Sequence, residues 1–467
     1  MPTEPGLDPA SFRDPSGQVH QIDGRIFRTV TDHAIDDFDF VQASEVYARL
    51  VEAGKVIAAN PVDDATRQRI SADARHVLEH PKLPMVSYPY EWTFSQLKAA
   101  ALLHLDIQIE ALAGGVMLSD ATAYNVQFIG AAPIFIDTLS FRRYRDGEYW
   151  TGHQQFCEQF LIPLLLAAFF GTTHNAWYRG TLEGIPRADF VRLLGFRHKL
   201  SWRVLTQLVL PSSFDRSAQK GNIAVGSSAL QAAKFPKQTL DRMLRRFRDW
   251  IEGLRPKYAK QQTIWQNYAT HTSYSDAGTT AKHAAIARFV GDVKPAILWD
   301  LGCNSGDYSE LALENGAGHV VGWDFDMGAL EAAFARAREK ELAFTALYFD
   351  AANPSPDQGW AQSERRGMAE RGPADAVLAL ALVHHLAIAK NLPLPRVTDW
   401  LTGLGRAGIV EFVTKEDPMV QELLKMREDI FPNYNLEAFL TALSAKAEVS
   451  DVEALGTRHL ITYRSKP

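Results

Sequence analysis

The run Ile297-Leu298-Trp299-Asp300-Leu301-Gly302-Cys303-Asn304-Ser305-Gly306 constrains this chain more than any other. A buried-strand run carries a carboxylate near its end and passes at once into a glycine-bearing turn that opens a helix, which is how the first strand of a doubly wound α/β sheet is built. A second apolar strand, His319-Val320-Val321-Gly322-Trp323, ends in Asp324, where such sheets put the acid that holds a ribose. A third, Ala343 to Phe349, ends in Asp350, positioned to accept from an adenine amino group. A fourth, Ala374 to Val383, carries Leu380 and delivers His384 and His385 to the same rim. Together these ends specify an adenosyl ligand.

The loop chemistry selects among such ligands. A pyrophosphate needs backbone N–H groups bared by a third glycine at a helix N-terminus. Here Asp300 stands at the strand end and Asn304 replaces the middle glycine, so the loop is acidic and roomy rather than anion-cradling. That suits a cationic, phosphate-free cofactor. Asp324 accepts both ribose hydroxyls in this reading, each charge-assisted bond contributing roughly 1.5–3 kcal/mol. The expected cofactor contacts are Asp300, Gly302, Asn304, Gly306, Asp324, Asp350 and Leu380.

In this order the elements DLGCNSG, the acid in GWDFD, Asp350 and the strand ending in HHL resemble the class I S-adenosyl-L-methionine-dependent methyltransferases, over roughly Tyr258 to Pro467. The resemblance implies a Rossmann-like C-terminal domain with a doubly wound seven-stranded sheet, S-adenosyl-L-methionine as cofactor, and methyl transfer. The family pattern usually has glycine where this chain has Asn304. A hydroxyl acceptor requires a base, for which His384 or His385 is the candidate, with Glu411 on the strand Gly408 to Val413 as alternative. Simple packing or hydrogen bonding by one of the two histidines is the competing reading. From Val86 onward the pieces VSYPYEWTF, LSDATAYNVQF, PIFIDTLSF, DLGCNSGDYS, ALVHHLA and VEFVTKEDPMV resemble bacterial methyltransferases described as nodulation-protein-like. That likeness implies a small-molecule, glycan or glycolipid acceptor.

The N-terminal half has its own constellation. A helix from Ser95 to Leu112 puts Leu97, Ala101, Leu105, Ile109 and Leu112 on one face and ends at Gly114-Gly115. After it, Asp120, Asn125 and Asp137 bracket a hairpin turning at Gly130. This resembles the catalytic hairpin of kinase and aminoglycoside-phosphotransferase folds, implying a kinase-like, largely helical α+β domain. There the first Asp orients a hydroxyl, while Asn125 and Asp137 would grip Mg²⁺ bridging the phosphates of ATP. Ser119, Thr138-Leu139 and the lack of a glycine-rich phosphate loop depart from that pattern. A binding or regulatory module, an active phosphotransferase and plain Asx-turn chemistry at hairpin ends all remain open. The expected division is a kinase-like domain over 1–213, a linker and bridging helix over 214–257, and the methyltransferase domain over 258–467.

At 467 residues, 46% hydrophobic and 22% charged, the chain is long enough for two or three cores. A formal charge of −6 without a Lys/Arg-rich run argues against nucleic acid as partner. The two cysteines, Cys157 and Cys303, lack metal-ligand spacing and suggest no disulfide framework. Glu4, Asp8, Arg13 and Asp14 are unlike a signal peptide, and the apolar run Phe160 to Phe170, interrupted by Pro163, is too short to cross a bilayer and reads as a core helix. A cytoplasmic protein without a transmembrane segment is expected. Its oligomeric state is not encoded in any pattern found.

Other elements read as a strand at Phe27–Val30 and helices over 43–53, 64–78, 149–170, 187–210 and 239–254, with a linker over 211–238. Arg242, Arg245, Arg246 and Arg248 fall mainly off the apolar stripe of the last helix, as a solvated face or an anion-binding surface. Trp265, Tyr268, Tyr274 and Lys282 form a polar-aromatic approach to the cofactor loop, or fill a core. The segment Pro354 to Pro373 reads as a surface insertion with the makings of a lid.

Overall fold

The computed structural model describes residues 6–212, 236–260, 276–425 and 428–466. Trp265, Tyr268 and Tyr274, and most of the expected linker over 211–238, lie outside those residues.

At the N-terminus β1 (Val19–Ile22), β2 (Arg25–Val30), β3 (Asn60–Pro61) and β4 (His76–His80) form an antiparallel sheet in the order β1-β2-β4-β3. The helix expected over 64–78 stops at Ile70, and the residues beyond pair with β2, from Ile26 opposite His80 to Val30 opposite His76. Cross-strand pairing overrides the helical periodicity there. The helix expected over 43–53 is also interrupted, because Ile35–Ala43 and Val46–Glu52 meet at Ser44-Glu45, where Glu45 has a φ of 59°.

The long helix spans Phe94–Ala113, opened by a reciprocal cap between Thr93 and Gln96 and followed by Gly115 at a φ of 76°. Beyond it come β5 (Val116–Leu118), the hairpin of β6 (Val126–Ile129) and β7 (Ala132–Phe135), and β8 (Phe141–Arg143), which pairs with β5. The apolar run near Pro163 is a buried helix, Ile162–Phe170, entered through a π turn at Cys157–Leu161. The stretch expected as one helix over 187–210 is divided into Arg187–Leu193, Phe196–Lys199, Trp202–Val204 and a π turn at Leu205–Val209. Gly195 and Ser201, both extended, make the breaks.

The C-terminal half folds into the expected seven-stranded doubly wound sheet. Its strands are β9 (Ile297–Leu301), β10 (His319–Asp324), β11 (Phe344–Tyr348), β12 (Ala376–Ala379), β13 (Ala407–Val413), β14 (Ala447–Leu455) and β15 (Arg458–Ser465), in the order β11-β10-β9-β12-β13-β15-β14. β9 to β13 are parallel, and β15 runs antiparallel between β13 and β14. Because β10 and β11 lie on one side of β9 and β12 on the other, the chain reverses direction across the sheet at β9/β12, where such sheets open a crevice. Every residue of β10, β12 and β13 is buried, as parallel strands covered on both faces require.

The two halves share one core. Trp92, Leu97 and Phe128 belong to the same buried cluster as Trp299, Trp323, Phe334 and Leu347. Phe128 meets Phe334 edge to face at 6.3 Å, and the Thr345 hydroxyl donates to the Gly130 carbonyl at 3.2 Å. The insertion over 354–373 is not free to act as a lid in this arrangement, because it is seated on the N-terminal half. Arg13 pairs with Glu364 at 2.6 Å and Arg366 with Asp8 at 2.9 Å. At its end Arg371 is 5% exposed and grips Glu91 through both carboxylate oxygens, at 2.9 and 2.5 Å. The same guanidinium donates to the Val86 carbonyl and lies over the rings of Tyr88 and Trp323, at 4.9 and 5.4 Å.

Breaking a buried pair of this kind leaves an uncompensated charge, at a cost of about 3–5 kcal/mol. Arg371→Ala is therefore expected to lower the free energy of unfolding measured in urea by that amount, whereas Arg366→Ala at the exposed pair lowers it by less than about 1 kcal/mol. Equal values for the two variants would show that Arg371 does not join the halves.

Candidate functional site

β9 leads through Gly302 and Asn304, at φ values of 82° and 49°, to Gly306 at 83° and then into the helix Asp307–Glu314. Asparagine tolerates the left-handed region better than most side-chain-bearing residues. Asn304 thus keeps the turn that glycine makes in the family pattern, and its Oδ1 accepts the Ser305 N–H at 2.8 Å. At Gly306 a Cβ would come within 2.5 Å of the Phe344 ring, so the helix can start only on glycine.

The direction of the loop N–H groups decides what the loop can hold. Gly302 and Cys303 donate to the Trp323 carbonyl at 2.7 and 3.1 Å, and Gly306 donates to the Cys303 carbonyl at 2.9 Å. Asn304 donates to Asp324 Oδ2 at 2.9 Å. With Ser305 turned onto Asn304, every N–H from 302 to 306 is engaged by the protein itself. None is bared for a phosphate.

Carboxylates dominate what remains. Asp300 is buried and accepts from the Ser309 hydroxyl at 2.7 Å, and burial pushes its carboxyl up to about 7. Asp324 accepts the N–H of Asp326 on its other oxygen at 2.9 Å. Burial raises it to about 6, although the N–H groups of Asp326 and Asn304 pull the other way. Asp350, half-buried just beyond β11, accepts the Ala352 N–H at 2.9 Å. Three acids thus sit at or just beyond the C-terminal ends of three adjacent strands. An acid-rich rim without a phosphate cradle fits a cationic adenosyl group held through its sugar.

β12 ends at Ala379, earlier than the strand expected over 374–383, and Ala381 turns the chain at a φ of 50°. Leu380 is buried at this rim. His384 is fully buried and His385 half-buried, with ring centroids 4.1 Å apart. Neither ring nitrogen of His384 has a hydrogen-bond partner among the described residues. Burial, reinforced by Arg458, holds His385 down to about 4 and His384 well below the usual imidazole range, so both are neutral near pH 7.

Glu411 lies within β13, completely buried, 2.8 Å from Lys282 Nζ and 3.3 Å from Arg458 Nη1. Arg458 also pairs with buried Asp417 at 2.9 Å, and Lys282 sits 4.5 Å over the Tyr308 ring. Burial pushes the Glu411 carboxyl up and the Lys282 ammonium down. Lys282 is therefore part of a buried ionic chain, and so is Asp417, which the sequence suggests as a surface residue or acceptor contact, whereas Arg458 and Ser309 went unnoticed in the sequence. A usable signal was present: a lone glutamate in the apolar run Gly408 to Val413 demands a cation.

In the N-terminal half Asp120, Asn125 and Asp137 converge as the hairpin reading expects. The Asn125 amide donates to Asp120 at 3.2 and 3.4 Å and to Asp137 at 3.4 Å. The Ser140 hydroxyl also donates to Asp120. Burial, with Asp137 as neighbour, raises Asp120 to about 6. Arg28 on β2, which no sequence pattern marks, pairs with Asp14 and stands 3.3 Å from Asp137. Thus Asp137, expected to grip Mg²⁺ with Asn125, faces a guanidinium, and among the described residues no group of three or more His, Cys, Asp and Glu could hold a metal ion. Beside this cluster a cleft of about 360 Å³ between the N-terminal half and the insertion is lined by Arg13, Thr122, Tyr124, Glu183, Trp360 and Arg365, among others.

No family model matches the chain. It is 48% identical over 446 residues to the nodulation protein NoeA of Rhizobium meliloti (strain 1021), covering 95% of this chain and 93% of that one. Among solved structures it is similar to the N-methyltransferase NodS of Bradyrhizobium japonicum WM9 in complex with S-adenosyl-L-homocysteine, over 45% of this chain and 95% of the other, at 10% identity and a TM-score of 0.32. It is also similar to magnesium protoporphyrin IX methyltransferase (ChlM) of Synechocystis PCC 6803 with the same compound bound, over 40% and 84%, at 17% identity and a TM-score of 0.29.

The left-handed turn at Asn304 makes a prediction about stability. Asn304→Gly keeps the free energy of unfolding within a few tenths of a kcal/mol, whereas Asn304→Val lowers it by about 1–2 kcal/mol. An unchanged value for the valine variant would mean that the turn does not need that conformation.

Proposed function

The chain belongs to the family of the nodulation protein NoeA, and on that premise we propose that it is an S-adenosyl-L-methionine-dependent methyltransferase acting on a small-molecule, glycan or glycolipid acceptor. The observation that carries this reading is the engagement of every loop N–H from 302 to 306 by the protein, beside the acids Asp300, Asp324 and Asp350. When bound, S-adenosyl-L-methionine supplies an electrophilic methyl group on a positively charged sulfur. Asp324 takes the ribose hydroxyls and Asp350 the adenine amino group. Gly302, Asn304 and Gly306 shape the loop, and Leu380 closes the rim. Asp300, when ionised, would contribute negative charge to the site that holds the cationic cofactor.

For a hydroxyl acceptor, His385 is the better placed base, since it is half-buried and neutral, and His384 supports it from behind. Glu411, fixed between Lys282 and Arg458, holds the β13 end of the site in position. Much of the rate then comes from alignment of donor and acceptor within contact distance. We assign residues 258–467 to this activity.

We read residues 1–213 as a kinase-like domain with a binding or regulatory role, joined through 214–257. Convergence of Asp120, Asn125 and Asp137 supports the likeness, and the cleft beside Tyr124 and Trp360 offers room for part of an acceptor. The alternative of a kinase using ATP and Mg²⁺ there is disfavoured by Arg28, which supplies positive charge at Asp137. ATP with MgCl₂ is accordingly expected to leave the melting temperature of the full chain unchanged. A rise of several degrees, abolished by Asp137→Ala, would reinstate the phosphotransferase.

The cofactor reading is tested by calorimetry with S-adenosyl-L-homocysteine and by transfer of a deuterated methyl group to extract metabolites and glycans. Asp324→Ala removes charge-assisted bonds worth roughly 1.5–3 kcal/mol each and is expected to weaken binding at least about tenfold and abolish labelling. Both acids have raised pKa values, about 7 for Asp300 and about 6 for Asp324. They gain protons, and lose their charge, as the pH falls through that range. Affinity therefore drops between about pH 7 and 5, and Asp324→Asn flattens the lower part of that drop. Wild-type affinity in the Asp324→Ala protein would overturn the assignment.

A further inference from the structure

One surface of the N-terminal half is built unlike the rest. Over the broken helical stretch after Arg187, four large apolar side chains face outward: Phe196 is 76% exposed, Trp202 75%, Leu200 64% and Leu193 53%. Phe196 and Leu200, four residues apart, lie on the same side of their turn. The segment is not loose. Leu194, Val204 and Leu208 are buried beneath it, and the His198 ring stacks on Phe169 at 4.4 Å with a 12° tilt. The outward side chains are held out by a fixed backbone.

Charge is just as one-sided. From Phe190 to Phe214 the chain has no acidic residue but carries Arg192, Arg197, Lys199 and Arg203, a local surplus of four positive charges in a protein whose formal net charge is −6. Arg192 is paired with Asp189, and the others flank the apolar side chains. Exposed large apolar side chains interleaved in sequence with cations point to an interaction site. Bulky Trp, Phe and Leu on one side with Arg and Lys beside them is the composition of segments that lie in the headgroup region of an anionic bilayer, apolar groups inserted and cations against lipid phosphates. Among the described residues no helix is long and apolar enough to cross a membrane, so such contact would be with one leaflet.

We propose that this segment, centred on Phe196, Leu200 and Trp202, docks the protein onto an anionic phospholipid surface. The proposal does not depend on the methyl-transfer reading, and its test uses no methyl donor. The full chain is sedimented with vesicles of phosphatidylcholine alone or with about 30% phosphatidylglycerol. Partitioning is expected to be at least about tenfold stronger with the anionic lipid and to weaken at high salt. Phe196→Ser with Trp202→Ser should lower it by at least about tenfold, and Arg197→Glu with Lys199→Glu by a similar factor, each variant keeping the wild-type circular dichroism spectrum and melting temperature because these side chains face outward. Partitioning no stronger with anionic than with neutral vesicles, or unchanged by the Phe196/Trp202 substitutions, would overturn the proposal. So would a two-chain species in gel filtration that the same substitutions convert to one chain, since the patch would then be a self-interface.

Discussion

The Asp324 carboxylate holds the C-terminal site together. One oxygen takes the N–H of Asn304 from the loop after β9, and the other takes the N–H of Asp326 beyond β10, so a single side chain ties two strand ends into one rim. The Trp323 carbonyl beside it receives Gly302 and Cys303. These bonds use up the loop donors, and that alone changes the ligand class: a sheet topology that elsewhere cradles pyrophosphate here presents acid.

Tying the loop down matters only if the sheet beneath it is rigid, and the N-terminal half supplies that rigidity. Gly130, at the tip of the β6–β7 hairpin, receives the Thr345 hydroxyl, and a Cβ there would lie 2.5 Å from the Leu342 carbonyl. The hairpin carrying Asn125 and flanked by Asp137 therefore rests against β11, whose far end leads to Asp350. Arg371 fixes the opposite side by joining Glu91 and the Tyr88 ring to Trp323 on β10. β11 and β10, the two strands on one side of β9, thus contact the N-terminal half.

Much of this rim was legible because strand ends have a local grammar: an apolar run, an acid and a glycine turn can be read without knowing the neighbours. The hairpin acids were legible for the same reason, being close in sequence. What escaped was nonlocal. Arg28 reaches Asp137 across more than a hundred residues, and Arg458 reaches Glu411 only because β15 inserts antiparallel beside β13. The failed helix over 64–78 has the same cause. Its second half pairs with β2, a choice that lies in the partner strand and not in the segment's own periodicity. Even the break at Glu45 was hidden, since glutamate carries no mark of a left-handed backbone.

The fate of Glu411 follows from the same distinction. In sequence it is a carboxylate near a strand end, interchangeable with His384 or His385 as a proton acceptor. In the structure it lies between an ammonium at 2.8 Å and a guanidinium at 3.3 Å, with Arg458 held in turn by Asp417. Taking a proton from an acceptor would leave both cations short of a counter-charge in a buried setting, which is costly. A neutral imidazole incurs no such loss, and the nearby Arg458 favours that neutral form in both histidines. Burial, reinforced by Arg458, keeps both histidines uncharged, and the same cation anchors Glu411.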